Sequence, residues 1–140
     1  METIGFLGPS GTHSEAAALY LMERLGEDAS LRAYPDIFSA IEAVIDGETN
    51  SALIPAENSI EGAVNITLDT LAGSDALRIQ RELIWDIHHQ LMARYPAEEV
   101  HTIYSHPQPL AQCRRFLKER FPKARLLTTA STARAAKIVA

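Results

Sequence analysis

Cysteine is nearly absent from this sequence. The patterns that are typical of membrane-spanning, secreted and nucleic-acid-binding proteins are absent as well. The single Cys113 excludes an intramolecular disulfide and is typical of a reducing compartment. No apolar run approaches the ~20 residues of a membrane-spanning helix, and the N-terminus lacks the basic region that opens a signal peptide. An excess of positive charge is also lacking, because the formal net charge is −5, which disfavours binding to nucleic acid or to an anionic membrane. We therefore expect a cytoplasmic protein with neither of these partners.

The histidines lack the spacing of a metal site. His88 and His89 are adjacent, so on a strand their side chains would point to opposite faces. His13, His101 and His106 lie far apart and include no pair at helical spacing. We therefore predict no metal site.

The first half of the chain alternates between apolar runs and helical patterns. Thr12 and Glu15 form a capping box ahead of the first helical pattern, and Asp36 is placed to cap the second. The order β-α-β-α-β-α is typical of an α/β protein with a mostly parallel sheet covered by helices. Strands are predicted at residues 4–7, 31–34 and 52–56, and helices at residues 14–25, 36–46 and 60–71.

The pattern changes near residue 75, where we place the boundary between a first lobe (residues 1–75) and a second (residues 76–140). From residue 79 to residue 93 the sequence alternates between apolar and polar, which predicts a long half-buried strand. Further strands are predicted at residues 102–105 and 126–128, with helices over residues 109–121 and from Ser131 onward.

Glycine and polar residues gather where the predicted strands end and the helices begin. In an open α/β sheet, ligands bind at this edge. Gly11 and Thr12 open a helix whose free N–H groups can hold a carboxylate or phosphate. An ordinary turn with a good cap explains the same residues. The stretch lacks the Lys-Ser/Thr pair of a Walker A loop.

Three later turns repeat this arrangement. Glu57, Asn58 and Ser59 offer a carboxylate, an amide and a hydroxyl to one ligand, although Asn and Ser are also common helix caps. His106 and Gln108 can hydrogen-bond a ligand, and the last turn, at residues 131–133, supplies hydroxyls. Together, four such turns indicate a site for a small polar molecule.

Taken in series, these stretches resemble the prephenate dehydratase family. Any one of them would be a weak signal, but their order through nearly the whole chain is specific. The matching stretches are residues 8–17, 57–62, 67–71, 87–91, 105–113 and 131–136.

The resemblance implies a two-lobed catalytic domain of the periplasmic-binding-protein-like type II class, with mixed sheets flanked by helices and the ligand in the cleft between the lobes. The family converts prephenate to phenylpyruvate with loss of water and carbon dioxide in L-phenylalanine biosynthesis. Aromatisation drives this reaction, so no cofactor is expected, and the enzyme must hold a dianion and help hydroxide to leave. Prephenate is the expected small-molecule partner. We also expect a homo-oligomer, since an unpaired sheet edge favours self-association.

The resemblance also implies roles for the turn residues. Gly11 and Thr12 would bind a carboxylate, while Asn58 and Ser59 would position the ring and its substituents. Glu57 would help to protonate the leaving hydroxyl if it is buried, and locking the turn is its equal alternative. The remaining candidates for substrate binding are Gly62, Ser105, His106, Gln108, Ser131, Thr132 and Ala133.

The sequence departs from the family beyond its last matching turn. The family's Thr-Arg-Phe motif, whose threonine is the leading candidate for a catalytic residue, does not occur in these 140 residues. The ACT domain, through which regulation by phenylalanine is expected, does not occur in them either. Two alternatives stay open: an arogenate dehydratase, whose substrate differs by an amino group, and a non-catalytic small-molecule-binding module of the same fold.

We predict that the purified 140-residue chain has little or no dehydratase activity, because the pocket wall supplied by the Thr-Arg-Phe motif is missing from it. Phenylpyruvate formation from prephenate is the measurement. A rate near that of a full-length family member would contradict this prediction.

Overall fold

The alternating pattern of the sequence folds as two units. The structure is a computed structural model and describes residues 2–26 and 28–140. The first unit ends at Asp86 and the second runs from Ile87 to Ala140. The lobe boundary that the sequence analysis places at residue 75 differs from this boundary between the two units and stays a prediction. The first unit contains β1 (Glu2–Leu7), α1 (His13–Leu25), β2 (Ala29–Tyr34), α2 (Ile37–Ile45), β3 (Ser51–Leu53), β4 (Glu57–Asn58), β5 (Gly62–Ala63) and α3 (Asn65–Ala72).

A three-stranded parallel sheet forms the centre of the first unit. β1 lies in the middle and pairs with β2 on one side and with β3 on the other. Ile4 and Phe6 of β1 are each only 2% exposed, and both α1 and α2 contact this strand. The predicted α/β arrangement of the first half is therefore confirmed, with β3 shorter than the run that predicted it.

Side-chain caps set the starts of the first two helices, as predicted. The Thr12 hydroxyl accepts a hydrogen bond from the Glu15 N–H at 3.4 Å, and the Asp36 carboxylate accepts one from the Ser39 N–H at 2.7 Å. These bonds satisfy N–H groups that have no partner within the helix. Gly26 ends α1 with φ at +62°, a left-handed conformation that glycine adopts without steric cost.

Tyr34 joins the sheet to the turn that follows β1. Its side chain packs in a buried cluster with Ala40 and Ala43 of α2. Its carbonyl oxygen accepts a hydrogen bond from the Gly8 N–H at 2.8 Å. A Cβ atom on Gly8 would lie 3.1 Å from that oxygen, a tight contact, so the close approach of the two backbones favours glycine. The turn after β1 is thus fixed at its first residue.

The predicted helix over residues 60–71 is wrong at its beginning. Glu57 and Asn58 do not cap a helix but form β4, which pairs antiparallel with β5 in a short hairpin. The helix, α3, begins only at Asn65.

A left-handed glycine explains why the hairpin replaces the first helical turn. The Asn58 Oδ1 atom accepts from the N–H groups of Ile60 at 3.1 Å and Glu61 at 2.7 Å. Gly62 has φ at +81°, outside the helical region. The asparagine bonds would suit a helix cap as well, so the conformation of Gly62, which pairs opposite Asn58, favours the hairpin over the helix.

The long strand predicted over residues 79–93 is also wrong for the described chain. Residues 77–93 have no regular secondary structure, and residues 77–86 form no backbone–backbone hydrogen bond with another described residue. A strand requires a neighbour for its N–H and C=O groups, and none of the described strands pairs with this stretch. Consequently, apolar side chains such as Ile79 and Ile84 are 77% and 86% exposed.

The second unit is built on two parallel strands. Ile103, Leu117 and Ala135 are buried in it. The predicted strands and the helix after Ser131 are confirmed, whereas the single helix predicted over residues 109–121 is divided at Cys113, whose φ of −92° and ψ of 7° leave the helical region. Besides a short 3₁₀ helix (Ala97–Glu99), the unit contains β6 (Thr102–Ser105), α4 (Pro107–Gln112), α5 (Arg114–Arg120), β7 (Arg125–Thr128) and α6 (Thr132–Val139).

Replacing Thr67 with valine is expected to destabilise the first unit. Thr67 is fully buried in α3, and its hydroxyl donates to the Pro55 carbonyl at 2.7 Å. The substitution leaves that carbonyl without its partner, so the free energy of unfolding should fall by about 1–3 kcal/mol in urea denaturation. Thr70→Val is the matched control. The Thr70 hydroxyl donates to the Ile66 carbonyl, but Thr70 is only half-buried, so water can replace the lost partner. Equal losses in the free energy of unfolding for the two variants would contradict the importance of the buried Thr67 hydrogen bond.

Hydrogen exchange can test the role of Asn58 in the hairpin. Asn58→Ala removes the acceptor, so the amide hydrogens of Ile60 and Glu61 should exchange about fivefold faster, as expected for the loss of a hydrogen bond worth about 1 kcal/mol. Asn58→Asp keeps an acceptor oxygen and should keep the protection. Unchanged exchange in Asn58→Ala would show that another group holds the turn.

Candidate functional site

The turns predicted to bind a ligand in the first unit emerge at one edge of the sheet. β1 and β3 run parallel, with Phe6 opposite Leu53, so both strands end on the same side. The turn at residues 8–12 follows β1, and the hairpin at residues 57–63 follows β3. Ligands bind at this edge in open α/β sheets. The structure therefore brings the first two predicted turns to a common edge.

The first of these turns already holds a carboxylate, and that carboxylate belongs to the protein. Gly11 has φ at +86°, and its N–H donates to the Oε2 atom of Glu15 at 2.6 Å. The Glu15 N–H in turn bonds the Thr12 hydroxyl. This reciprocal arrangement is a variant of the capping box. The carboxylate-binding role predicted for Gly11 and Thr12 therefore requires a ligand to compete with Glu15.

The polar residues of the hairpin have two different roles: some shape the turn and others are exposed to solvent. The Asn58 Oδ1 atom is engaged within the hairpin. Glu57 and Ser59 are exposed. Gly62, with its positive φ, allows the chain to return into β5. Asn58 and Gly62 thus shape the turn, and the Glu57 carboxylate and Ser59 hydroxyl are the groups it presents to solvent.

The two candidate turns of the second unit also lie at one edge. β6 and β7 are parallel, with Ser105 opposite Thr128. The Thr129 N–H donates to the Ser105 carbonyl at 2.8 Å, and the Thr129 hydroxyl donates to the Ser131 carbonyl at 2.9 Å. Thr129 therefore ties together the turn after β6 and the turn after β7, a role that the sequence analysis missed. Its signal was a second threonine directly after the strand.

Within these turns some side chains are caps and others are available. The His106 Nδ1 atom accepts from the Gln108 N–H at 3.3 Å, and the Ser131 hydroxyl accepts from the Arg134 N–H at 3.0 Å. Ser105, Gln108, Thr132 and Ala133 are half-buried beside them. The second unit thus gathers all six of its predicted site residues in two adjoining turns.

Other candidate sites are weaker. Among residues 2–26 and 28–140, no three His, Cys, Asp or Glu side chains are grouped to hold a metal ion. Within the same residues, no helix is long and apolar enough to span a membrane. Two surface concavities of about 470 and 490 Å³ lie away from the candidate turns.

Comparison with known proteins identifies the family that the sequences of these turns resemble. The family model described as prephenate dehydratase matches residues 4–140. A prephenate dehydratase from Amycolatopsis methanolica is 39% identical over 139 residues, which are 99% of this chain and 45% of that protein. A crystal structure of prephenate dehydratase from Arthrobacter aurescens in complex with L-Phe is 34% identical, with a TM-score of 0.77 over 98% of this chain and 45% of that one.

A further solved structure has a different described activity. It is GqqA, described as a novel type of quorum quenching acylase, with 26% identity and a TM-score of 0.71. The match covers 98% of this chain and 48% of that one.

The matches cover nearly all of this chain but only part of each relative. The chain spans about half the length of the curated relatives it matches. The family model nevertheless covers nearly all of its residues. This chain therefore belongs to the prephenate dehydratase family.

Proposed function

We propose that this chain supplies substrate-binding turns of a prephenate dehydratase, which converts prephenate to phenylpyruvate with loss of water and carbon dioxide. The observation that carries the proposal is the grouping of polar turns at the carboxyl edge of each parallel sheet, in a chain of this family. We further infer the periplasmic-binding-protein-like type II organisation, with lobes at residues 1–75 and 76–140.

The chemistry needs little from the protein beyond binding and orientation. Aromatisation makes the loss of carbon dioxide and hydroxide favourable, so the site has to hold two carboxylates and stabilise the departing hydroxide. Hydroxyl, amide and backbone N–H donors perform both tasks. Gln108 and Thr132 of the second unit, together with Ser59 of the first, are the half-buried or exposed donors that we assign to these contacts.

The capping groups have a different role in this proposal. Asn58, His106 and Ser131 hold their turns through the bonds they make to the backbone. They position the neighbouring donors, so their loss should disturb the site through its shape. Glu57 is exposed within its unit, and its role as the acid that protonates the leaving hydroxyl requires the bound substrate to bury it.

The cellular context follows from the same proposal. A single cysteine and an acidic balance suit the cytoplasm, and prephenate is the partner we assign. We keep the proposal of a homo-oligomer, and we assign regulation by phenylalanine to an ACT domain outside these residues.

A second candidate activity comes from the acylase neighbour. Its structural match covers nearly all of this chain, so the fold alone serves both activities. The family model and the sequence identity to prephenate dehydratases favour the dehydratase. Hydrolysis of an acylated amine by this chain, without binding of prephenate, would favour the acylase instead.

Binding of prephenate to the 140-residue protein tests the proposal without requiring turnover. Isothermal titration should detect binding, and Gln108→Leu and Thr132→Val should each weaken it about tenfold, because each removes a hydrogen bond to a charged ligand. Thr128→Val is the control, since Thr128 is an exposed strand residue beside these turns. Absence of prephenate binding, or equal affinity in all four proteins, would contradict the proposed function.

A further inference from the structure

The candidate turns of the two units differ in charge. In the first unit, the turns and their borders at residues 8–15 and 57–63 contain no lysine or arginine. They carry three carboxylates, those of Glu15, Glu57 and Glu61. In the second unit, the turns after β6 and β7 contain no carboxylate, and Arg134 follows directly after the second of them. A negatively charged ligand is therefore repelled by the first pair of turns and attracted by the second pair.

The two units as a whole differ in charge in the same sense. Residues 1–86 contain four Lys and Arg against fifteen Asp and Glu, whereas residues 87–140 contain nine against three. An excess of one sign on a small unit changes the local concentration of an ion, most strongly at low salt. Because the proposed substrate is a dianion, the charge distribution favours its encounter with the second unit.

The turn after β1 is also closed to a carboxylate. The Gly11 N–H donates to the Glu15 Oε2 atom at 2.6 Å, so this donor is already used. A ligand that takes the donor must break this bond, and its own carboxylate then lies beside the displaced Glu15 carboxylate. Carboxylate binding by Gly11 and Thr12 is therefore the less favourable alternative.

Arg134 is placed to reach the turn after β7. It is the third residue of α6, and its N–H donates to the Ser131 hydroxyl at 3.0 Å. Side chains of a helix lean towards its N-terminus and cover the preceding turn, so the backbone directs Arg134 towards residues 131–133. The side chain is exposed, and among the described residues its guanidinium forms no ion pair.

This position of Arg134 is unfavourable for α6 in the absence of an anion. The N-terminal end of a helix carries a partial positive charge, which favours acidic residues and disfavours basic ones. Glu15 is the third residue of α1, whereas α6 has no acidic residue in its first turn. A ligand carboxylate beside Arg134 would compensate both positive charges.

We propose that Arg134 binds a carboxylate of prephenate at the turn after β7, together with Gln108 and Thr132, while Glu15 keeps the turn after β1 closed. The turns of the first unit are left for the uncharged part of the substrate. This inference rests on the proposed function, and it names the residue that recognises the negative charge of the substrate.

Backbone-amide nuclear magnetic resonance of the 140-residue protein tests the inference, in separate titrations with prephenate and with succinate. Succinate carries two carboxylates but no ring, so it reports the recognition of charge alone. We expect saturable succinate shifts at residues 105–108 and 131–134, with little change at residues 9–12. Comparable succinate shifts at residues 9–12 of the unaltered protein would overturn the inference.

Two variants of α6 separate binding by Arg134 from attraction by net charge. Arg134→Gln should weaken the binding of both ligands about tenfold, because it removes a charge-assisted hydrogen bond to the carboxylate. Lys137→Gln is the matched control, since it removes the same charge from an exposed position of the same helix, further from the turn. It should leave the affinity nearly unchanged. Equal weakening by the two variants would overturn the inference.

A variant of Glu15 tests whether this residue closes the turn after β1. Glu15→Ala frees the Gly11 N–H, so succinate shifts should appear at residues 9–12. Glu15→Gln keeps an acceptor oxygen and should leave these residues unresponsive. If residues 9–12 of Glu15→Ala do not respond to succinate, Glu15 is not what excludes the ligand and this part of the inference is wrong.

Failure of the inference can be told apart from failure of the proposed function. Prephenate binding that Arg134→Gln and Lys137→Gln weaken equally would overturn the inference and leave the function standing. Succinate binding that depends on Arg134, without binding of prephenate, would support charge recognition at this turn and contradict the dehydratase. Absence of binding by either ligand would contradict both.

Discussion

The parallel pairing of β1 with its two neighbours is the constraint on which the first unit depends. Because β1 and β3 run in the same direction, the glycine-containing turn and the Glu57–Asn58 hairpin emerge at the same edge. Pairing with β2 brings Tyr34 beside the first turn, where its carbonyl holds Gly8. The same logic operates in the second unit, where Thr129 links the turns after β6 and β7. Sheet direction therefore decides which polar residues become neighbours.

Elements governed by local chemistry were predictable from the sequence. The starts of α1 and α2 followed from Thr12 and Asp36, whose side chains bond backbone donors only three residues away. The edges where the candidate turns gather were predictable too, since alternating strands and helices imply parallel strands.

Elements that depend on competition or on distant partners were not predictable in this way. The bonds from the Ile60 and Glu61 N–H groups to Asn58 would suit a helix cap equally well, and it is the positive φ of Gly62 and the pairing of β4 with β5 that distinguish the hairpin. Residues 79–93 have the alternation of a strand, but a strand forms only where a neighbour pairs with it. The use of Glu15 as a partner for the Gly11 N–H was hidden as well, because the capping pattern alone places that carboxylate on the N–H of Thr12.

The central proposal is that the turns at the two sheet edges contribute to binding prephenate. Nuclear magnetic resonance of the backbone amides during a titration with prephenate tests it most directly. The account predicts saturable shifts concentrated in residues 9–12, 57–62, 105–108 and 131–133, with small changes in the amides of α2. Shifts confined to the concavity beside Tyr20 and Arg24, or spread evenly over the chain, would contradict it.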